Sequence, residues 1–338
     1  MAAVCPGASD PRPAVLADHD WLINDRGVAA IEPFPGSEVH GVIWTIAAGD
    51  PAALDRAADT ASSEPGRTVR EVRTVTTATG PESVLLHADR RPNPGAPQPG
   101  YLEQVVAGAI ERGLPARWVE YLRRWDPTHW PQPNGGPSPN APRSLPELLA
   151  TPGVEEFSSL GTRFGFMAIH GGDVERMTDV IAERAAQASG ASIYLVRHPE
   201  GYPDHLTSTR YLASDSDRLA AFLDHVDVVI SLHGYFRFGR ATQLLAGGSN
   251  RALAAQIART VVLPGFEVVT DLESIPAGLR GLHADNPVNR PRGGGCQLEL
   301  PPRVRGIGPR SSVAGPGGLS TATEALVAGL AAVARDPR

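Results

Sequence analysis

Four residues in the C-terminal half have side chains that together suit amide hydrolysis: His170, Glu175, His233 and Glu299. His170 ends the apolar run Phe164 to Ile169 (FGFMAI), and His233 ends Asp227 to Leu232 (DVVISL). Each is followed by glycine, so each sits where an apolar strand enters a loop. That is where α/β sheets hold their ligands. Glu175 follows in the order His170-Gly171-Gly172-Asp173-Val174-Glu175, and the paired glycines let the backbone fold sharply enough to bring imidazole and carboxylate together.

A His, Glu, His donor set suits one Zn2+ ion, and three protein ligands leave a position for water. Such an ion lowers the pKa of water and polarises a carbonyl, so a separate carboxylate must take the water's proton and return it to the leaving amine. Glu299, in the short apolar strand GGGCQLEL, is the candidate, because an acid buried there without a task is costly. A strand-end histidine serves as readily as a hydrogen-bonded core residue, and Glu299 also fits a half-exposed strand facing solvent. Spacing alone leaves both readings open.

The elements that must carry these residues follow from periodicity. After the stretch Asp126 to Pro146, with seven prolines and two adjacent glycines, apolar strands alternate with helical segments. Strands are expected at Phe164 to Ile169, Ser192 to Arg197, Asp227 to Leu232, Phe266 to Asp271 and Cys296 to Leu300. Helices are expected at Thr178 to Ser189, Ser216 to Val226, Asn250 to Val262 and Thr321 to Ala334, with Thr178 or Asp179 as a cap and Gly190 as a stop. This alternation predicts an α/β domain of three layers with a largely parallel or mixed sheet over 148–338. Before the proline-rich stretch, strands at Val39 to Ile46, Val69 to Thr77 and Ser83 to Asp89 precede helices at Tyr101 to Arg112 and Pro115 to Trp125. That pattern predicts a small α+β domain over 1–125, joined by a linker over 126–147.

Composition excludes several functions. Cys5 and Cys296 are the only cysteines, too few for a disulfide framework or a thiolate zinc finger, which suits a reducing cytoplasm. Cys296 reads as a small buried residue. The formal net charge of -6 comes from well-mixed acids and arginines, with no lysine and no basic stripe, so nucleic acid is a poor partner. Neither a signal peptide nor a run of about 18 apolar residues occurs, so secretion and a membrane span are not expected. Oligomeric state is left open.

From about Phe164 to Arg303 the chain resembles the poly-γ-glutamate hydrolases, which share a zinc carboxypeptidase-like fold. Four ordered blocks carry the likeness: HGGDVERMTDVIA (His170 to Ala182), HLTSTRY (His205 to Tyr211), ISLHGY with GGSN (Ile230 to Tyr235, Gly247 to Asn250), and NPVNRPRGGGCQLEL (Asn286 to Leu300). The resemblance implies His170, Glu175 and His233 as zinc ligands and Glu299 as catalytic carboxylate. Met177 departs from it, standing where the family usually has glycine. His205, Thr207, Ser208 and Arg210 offer donors for a carboxylate-bearing substrate, with loop capping as the alternative role. Arg237, Asn250, Asn286, Asn289 and Arg290 offer a second such set. His198, His225 and His283 read as ordinary histidines.

Val15 to Trp125 resembles a γ-glutamylcyclotransferase-type domain, a small β-barrel fold, through Gly36 to Asp55 and Gly95 to Leu122. The glycine-rich YGSNL-type loop of that family is missing, and its acid/base glutamate falls in Arg56-Ala57-Ala58-Asp59. A non-catalytic domain is therefore expected, with Asp55 and Asp59 as ordinary loop acids. Two halves that each resemble handlers of γ-glutamyl groups imply a γ-glutamyl peptide or small-molecule substrate. The alternatives are an α-linked peptide or N-acyl amino acid as substrate, and a non-catalytic γ-glutamyl-binding protein.

Overall fold

The computed structural model describes residues 4–57, 68–89, 95–126, 141–237, 240–308 and 318–336. The chain divides into two compact units, 1–131 with 308–310 and 132–307 with 311–338.

The N-terminal unit is built from strands β1 (Ser9–Ile23) and β2 (Ala29–Thr45), helix α1 (Asp50–Ala57), strands β3 (Thr68–Thr77) and β4 (Gly80–Asp89), and helices α2 (Tyr101–Glu111) and α3 (Ala116–Arg123). The sheet is antiparallel in the order β2-β1-β3-β4. Trp21, Leu22 and Ile23 pack against Trp118, Leu122 and Trp125, and Tyr121 donates its hydroxyl hydrogen bond to Asp20 and to the Trp21 carbonyl. Sequence periodicity missed β1, because the run DPRPAVLADHD scatters prolines and acids through it.

The C-terminal unit comprises α4 (Leu145–Leu149), β5 (Glu155–Ser159), β6 (Thr162–Gly172), α5 (Thr178–Ser189), β7 (Ala191–His198), α6 (Asp217–His225), β8 (Val228–Gly234), β9 (Gln243–Ala246), α7 (Arg251–Thr260), β10 (Glu267–Val269), β11 (Gly295–Leu300) and α8 (Thr321–Arg335). Its seven-stranded mixed sheet has the order β10-β9-β11-β8-β6-β7-β5. The central strands β11, β8, β6 and β7 run parallel, whereas β5 and the β11/β9 pair are antiparallel. Central strands buried on both faces read as continuous apolar runs, which made them legible.

Through the middle of the central strands, residues alternate between the two faces of this sheet. Phe166, Ala168, Ile230, Leu232 and Leu298 pack with α5, α7 and α8, while Met167, Ile169 and Val229 pack with Leu145, Leu148 and α6. Leu145 and Leu148 thus belong to this core, although the proline-rich segment before them is mostly outside the described residues. One expectation is corrected: the cap of α5 is neither Thr178 nor Asp179 but Met177, at φ 74, with no side-chain cap. The Thr178 hydroxyl instead donates to the Glu175 carbonyl at 2.8 Å. Gly190 ends the helix in the left-handed conformation as expected.

Phe166, fully buried between β6 and the α5/α8 layer, anchors that core. Phe166→Ala should cost about 3–5 kcal/mol of stability, read as a lowered denaturant midpoint.

Candidate metal centre

Three parallel strands bring the site residues to one end of the sheet. Across β8 and β11, Ser231 lies beside Gln297 and His233 beside Glu299, so these four share one face. Met167 on β6 pairs with Ser231 and marks the same face. By simple alternation His170 would point with Phe166 and Ala168 to the opposite face. A bulge prevents this: between Ala168 and Gly171 the strand advances three residues while β7 advances two, from Leu195 to Arg197. The extra residue re-aims a side chain at the strand end.

The loop after His170 closes tightly, with the Glu175 N–H donating to the His170 carbonyl at 2.8 Å. Gly172 sits at φ +71, and a Cβ there would lie 2.1 Å from the His198 carbonyl oxygen, so only glycine fits. Glu175 is thereby placed between two imidazoles. Its Oε1 lies 2.9 Å from His170 Nδ1, and its Oε2 lies 3.3 Å from His233 Nδ1 and accepts from the Gly234 N–H at 2.9 Å. His205 approaches from the loop after β7, with its Nε2 3.6 Å from Glu175 Oε1 and its ring 4.1 Å from that of His170.

The hydrogen bonds of the outer ring nitrogens set which nitrogens face Glu175. His170 Nε2–H donates to the Leu206 carbonyl at 2.9 Å, which leaves the Nδ1 lone pair facing a carboxylate. Burial pushes the His170 pKa down to about 4, against the pull of Glu175. A lone pair and a carboxylate at 2.9 Å repel unless a proton or a metal cation lies between them. His233 is held similarly, by a 2.9 Å hydrogen bond between its Nε2 and the Ser231 hydroxyl. Burial would lower its pKa, but the charge and hydrogen bond of Glu175, and beyond it Glu299, raise it. Burial alone would raise the Glu175 pKa, yet the neighbouring imidazoles, His170 foremost, hold it well below the usual carboxylate range.

His170, Glu175 and His205 have ligand atoms all within 4.8 Å of one another, compact enough to hold an ion. His233, the third ligand drawn from sequence, lies outside that compact set and faces the other oxygen of Glu175, 3.3 Å from its Nδ1. His205 is 44% exposed at its side chain and His233 only 3%, so His205 is the donor open to solvent and His233 the enclosed one.

Glu299 is 3% exposed and accepts a 2.8 Å hydrogen bond from Gln297 Nε2, whose Oε1 accepts one from Asn286 Nδ2 at 2.7 Å. Burial pushes its pKa up to about 7. Other expected substrate groups resolve differently. Asn250 is spent as the α7 cap, accepting from the Leu253 N–H at 2.8 Å and donating to the Gly293 carbonyl at 2.8 Å. Asn289 ties loops together by donating to the Gly281 and His283 carbonyls and accepting from the Ser249 N–H. Thr207, Arg210, Arg237 and Arg290 are exposed and Ser208 is half-buried. His198, set aside in the sequence as ordinary, is buried and donates from Nδ1 to the Gly171 carbonyl at 2.9 Å, supporting the bulge. Tyr211 donates to the Ile169 carbonyl at 2.9 Å, on the other side of His170.

A three-layer α/β unit with a buried His/Glu cluster and a separate buried carboxylate has the form of a metal-dependent hydrolase domain. Residues 148–307 match the poly-gamma-glutamate hydrolase family, and residues 38–122 match the AIG2-like family, in keeping with the expected γ-glutamylcyclotransferase-like half. Among solved structures, a bacteriophage poly-gamma-glutamate hydrolase is 22% identical with a TM-score of 0.45, over 54% of this chain and 90% of its own. A zinc-free apo form of YNDL is 23% identical with a TM-score of 0.43, over 52% of this chain and 87% of its own. A metallo-carboxypeptidase from Burkholderia cenocepacia is 11% identical with a TM-score of 0.30, over 96% of this chain and 80% of its own. No curated protein matches. The family match and the compact cluster together point to a metal-dependent hydrolase. No helix among the described residues is long and apolar enough to cross a membrane.

Glu299 provides a stability signature. Its folded pKa of about 7 lies above the ordinary 4.5, so the metal-free fold is favoured by its proton below 4.5 and loses that stability as pH rises through 7. Glu299→Gln should therefore raise the melting temperature of metal-free protein at about pH 8 and leave it nearly unchanged at about pH 4. A variant no more stable at the higher pH would mean that the carboxyl ionises freely.

Proposed function

We propose that the C-terminal unit hydrolyses γ-glutamyl amide or peptide bonds, in poly-γ-glutamate or a γ-glutamylated small molecule, with one zinc ion held by His170, Glu175 and His233. The observation that carries this reading is Glu299: a buried carboxyl with a pKa of about 7, one strand over from His233 on the same face. A general base is most effective when its pKa lies near the working pH.

A bound zinc ion would supply Lewis acidity, polarising the scissile carbonyl and making a water molecule easier to deprotonate. The chain's own residues do the rest. Ionised Glu299 takes a proton from the attacking water, whose oxygen forms the new bond to the carbonyl carbon. As the C–N bond breaks, Glu299 returns that proton to the leaving nitrogen, so the carboxylate is regenerated. Gln297, braced by Asn286, donates to one Glu299 oxygen and leaves the other for the proton. His205, half-exposed at the edge of the cluster, is positioned to meet the substrate, with Arg210 and Ser208 on the segment that follows it.

For the N-terminal unit we propose a role without cyclotransfer, such as substrate docking. Asp55 receives hydrogen bonds from His87 at 2.7 Å and from Arg70 at 2.8 Å, and the bond from His87 leads in holding its carboxyl below the usual range. It is a poor proton acceptor. Asp59 lies outside the described residues.

Zinc-loaded protein given matched γ- and α-linked glutamyl peptides should release amine products from the γ-linked series, identified by mass spectrometry. Preference for α-linked peptides would redirect the activity to a carboxypeptidase or N-acyl amino acid hydrolase. Glu299→Gln should bind zinc stoichiometrically while kcat falls by about 100- to 10,000-fold. Unchanged turnover in that variant would remove Glu299 as the base.

A further inference from the structure

Each of three site residues is followed at once by a residue that touches the same buried side chain. Glu175 is followed by Arg176, whose carbonyl accepts from Arg305 Nη1 at 2.8 Å. Glu299 is followed by Leu300, whose carbonyl accepts from Arg305 Nε at 3.1 Å. His233 is followed by Gly234, where a Cβ would lie 2.6 Å from Arg305 Nη1. One guanidinium therefore meets the loop after β6, the end of β8 and the end of β11.

Arg305 itself is fixed from behind. It lies in the turn after β11, where its N–H donates to the Pro302 carbonyl at 3.1 Å, and it is only 6% exposed. Among the described residues no carboxylate forms an ion pair with it, and such a buried cation is costly unless carbonyls and nearby negative charge offset its desolvation. Here two carbonyls accept from it, and Glu175 and Glu299 supply the field. Arginine suits this place, since its Nε and Nη1 are separate atoms of one rigid plane and each donates to its own carbonyl.

We propose that Arg305 is the positioning residue of this hydrolase: it ties together the segments carrying Glu175, His233 and Glu299, and it fixes the distance between the metal ligands and the general base. This inference rests on the hydrolase reading above. Gly234 is part of the same device, because any side chain there would displace the guanidinium.

The test uses the full chain and zinc alone, with affinity measured by competition against a chromophoric chelator. Arg305→Met should bind zinc roughly 10- to 100-fold more weakly than wild type, the range typical of lost support around a metal site, with Arg305→Lys between them. Gly234→Ala, which keeps the arginine but pushes it aside, should show a similar loss. Guanidinium ion at a sub-denaturing concentration should restore part of the zinc affinity to Arg305→Ala, a rescue that a general loss of stability would not give. On a γ-glutamyl peptide the same variants should lose kcat with little change in KM. If Arg305→Met fails to fold, Arg305→Lys and Gly234→Ala carry the comparison. Wild-type zinc affinity and kcat in Arg305→Lys and Gly234→Ala would overturn the proposal while leaving the hydrolase reading intact. A wild-type protein that binds no zinc would overturn both.

Discussion

Glu175 is a carboxylate closed in between two imidazoles whose other nitrogens are already committed, His170 to the Leu206 carbonyl and His233 to the Ser231 hydroxyl. That crowding is the constraint on which the C-terminal unit depends. Buried lone pairs facing a buried carboxylate are tolerable only with a positive charge among them. The fold must therefore bring donors from two strands to one point and hold them there without water to relax the arrangement.

The bulge at the end of β6 is the first consequence. His233 and Glu299 reach the same face by ordinary alternation on neighbouring parallel strands, but His170 has the wrong parity and needs one extra residue to join them. The bulge is secured on both sides, by His198 at the Gly171 carbonyl and by Tyr211 at the Ile169 carbonyl. Gly172 lets the chain pass within van der Waals reach of His198, and Met177 takes up a left-handed conformation so that α5 can start directly below Glu175. A non-glycine residue in that conformation costs of order 1 kcal/mol or more. Its half-buried side chain packs against the α5/α8 core, which offsets part of that cost.

How much of this the sequence could reveal follows from the kind of signal each part leaves. His170 and His233 were legible because a polar residue ending an apolar run is locally conspicuous, and Glu299 because an acid in GGGCQLEL is out of place. The strands and helices around them were legible for the same reason, periodicity. Residues that act by hydrogen-bonding a distant carbonyl left no such trace: His198, Tyr211 and Arg305 have partners 27, 42 and up to 129 positions away. The asparagines show a different kind of signal. Asn250 and Asn289 lie in segments dense with donors, but their amides are consumed by helix capping and loop closure, and only Asn286 leads back to the site through Gln297. The strand β9 (QLLA) and the α4 turn (LPELL) are mostly apolar but too short for any periodicity to show.

The two carboxylates of the site differ because their surroundings differ. Glu175 has two imidazoles and the Gly234 N–H directed at its oxygens, and these outweigh its burial and keep it ionised. Glu299, still more enclosed, has one neutral amide N–H from Gln297, too little to offset desolvation, so it holds its proton to about pH 7. Environments that push two acids apart in this way divide the labour between them. The strongly stabilised anion suits a permanent ligand role, and the one balanced near neutrality suits a group that gains and loses a proton in every turnover. Arg305 lies near both, bonded to the backbone just beyond each. Its charge therefore favours both anions, and the difference between them comes from the direct contacts that Glu175 has and Glu299 lacks.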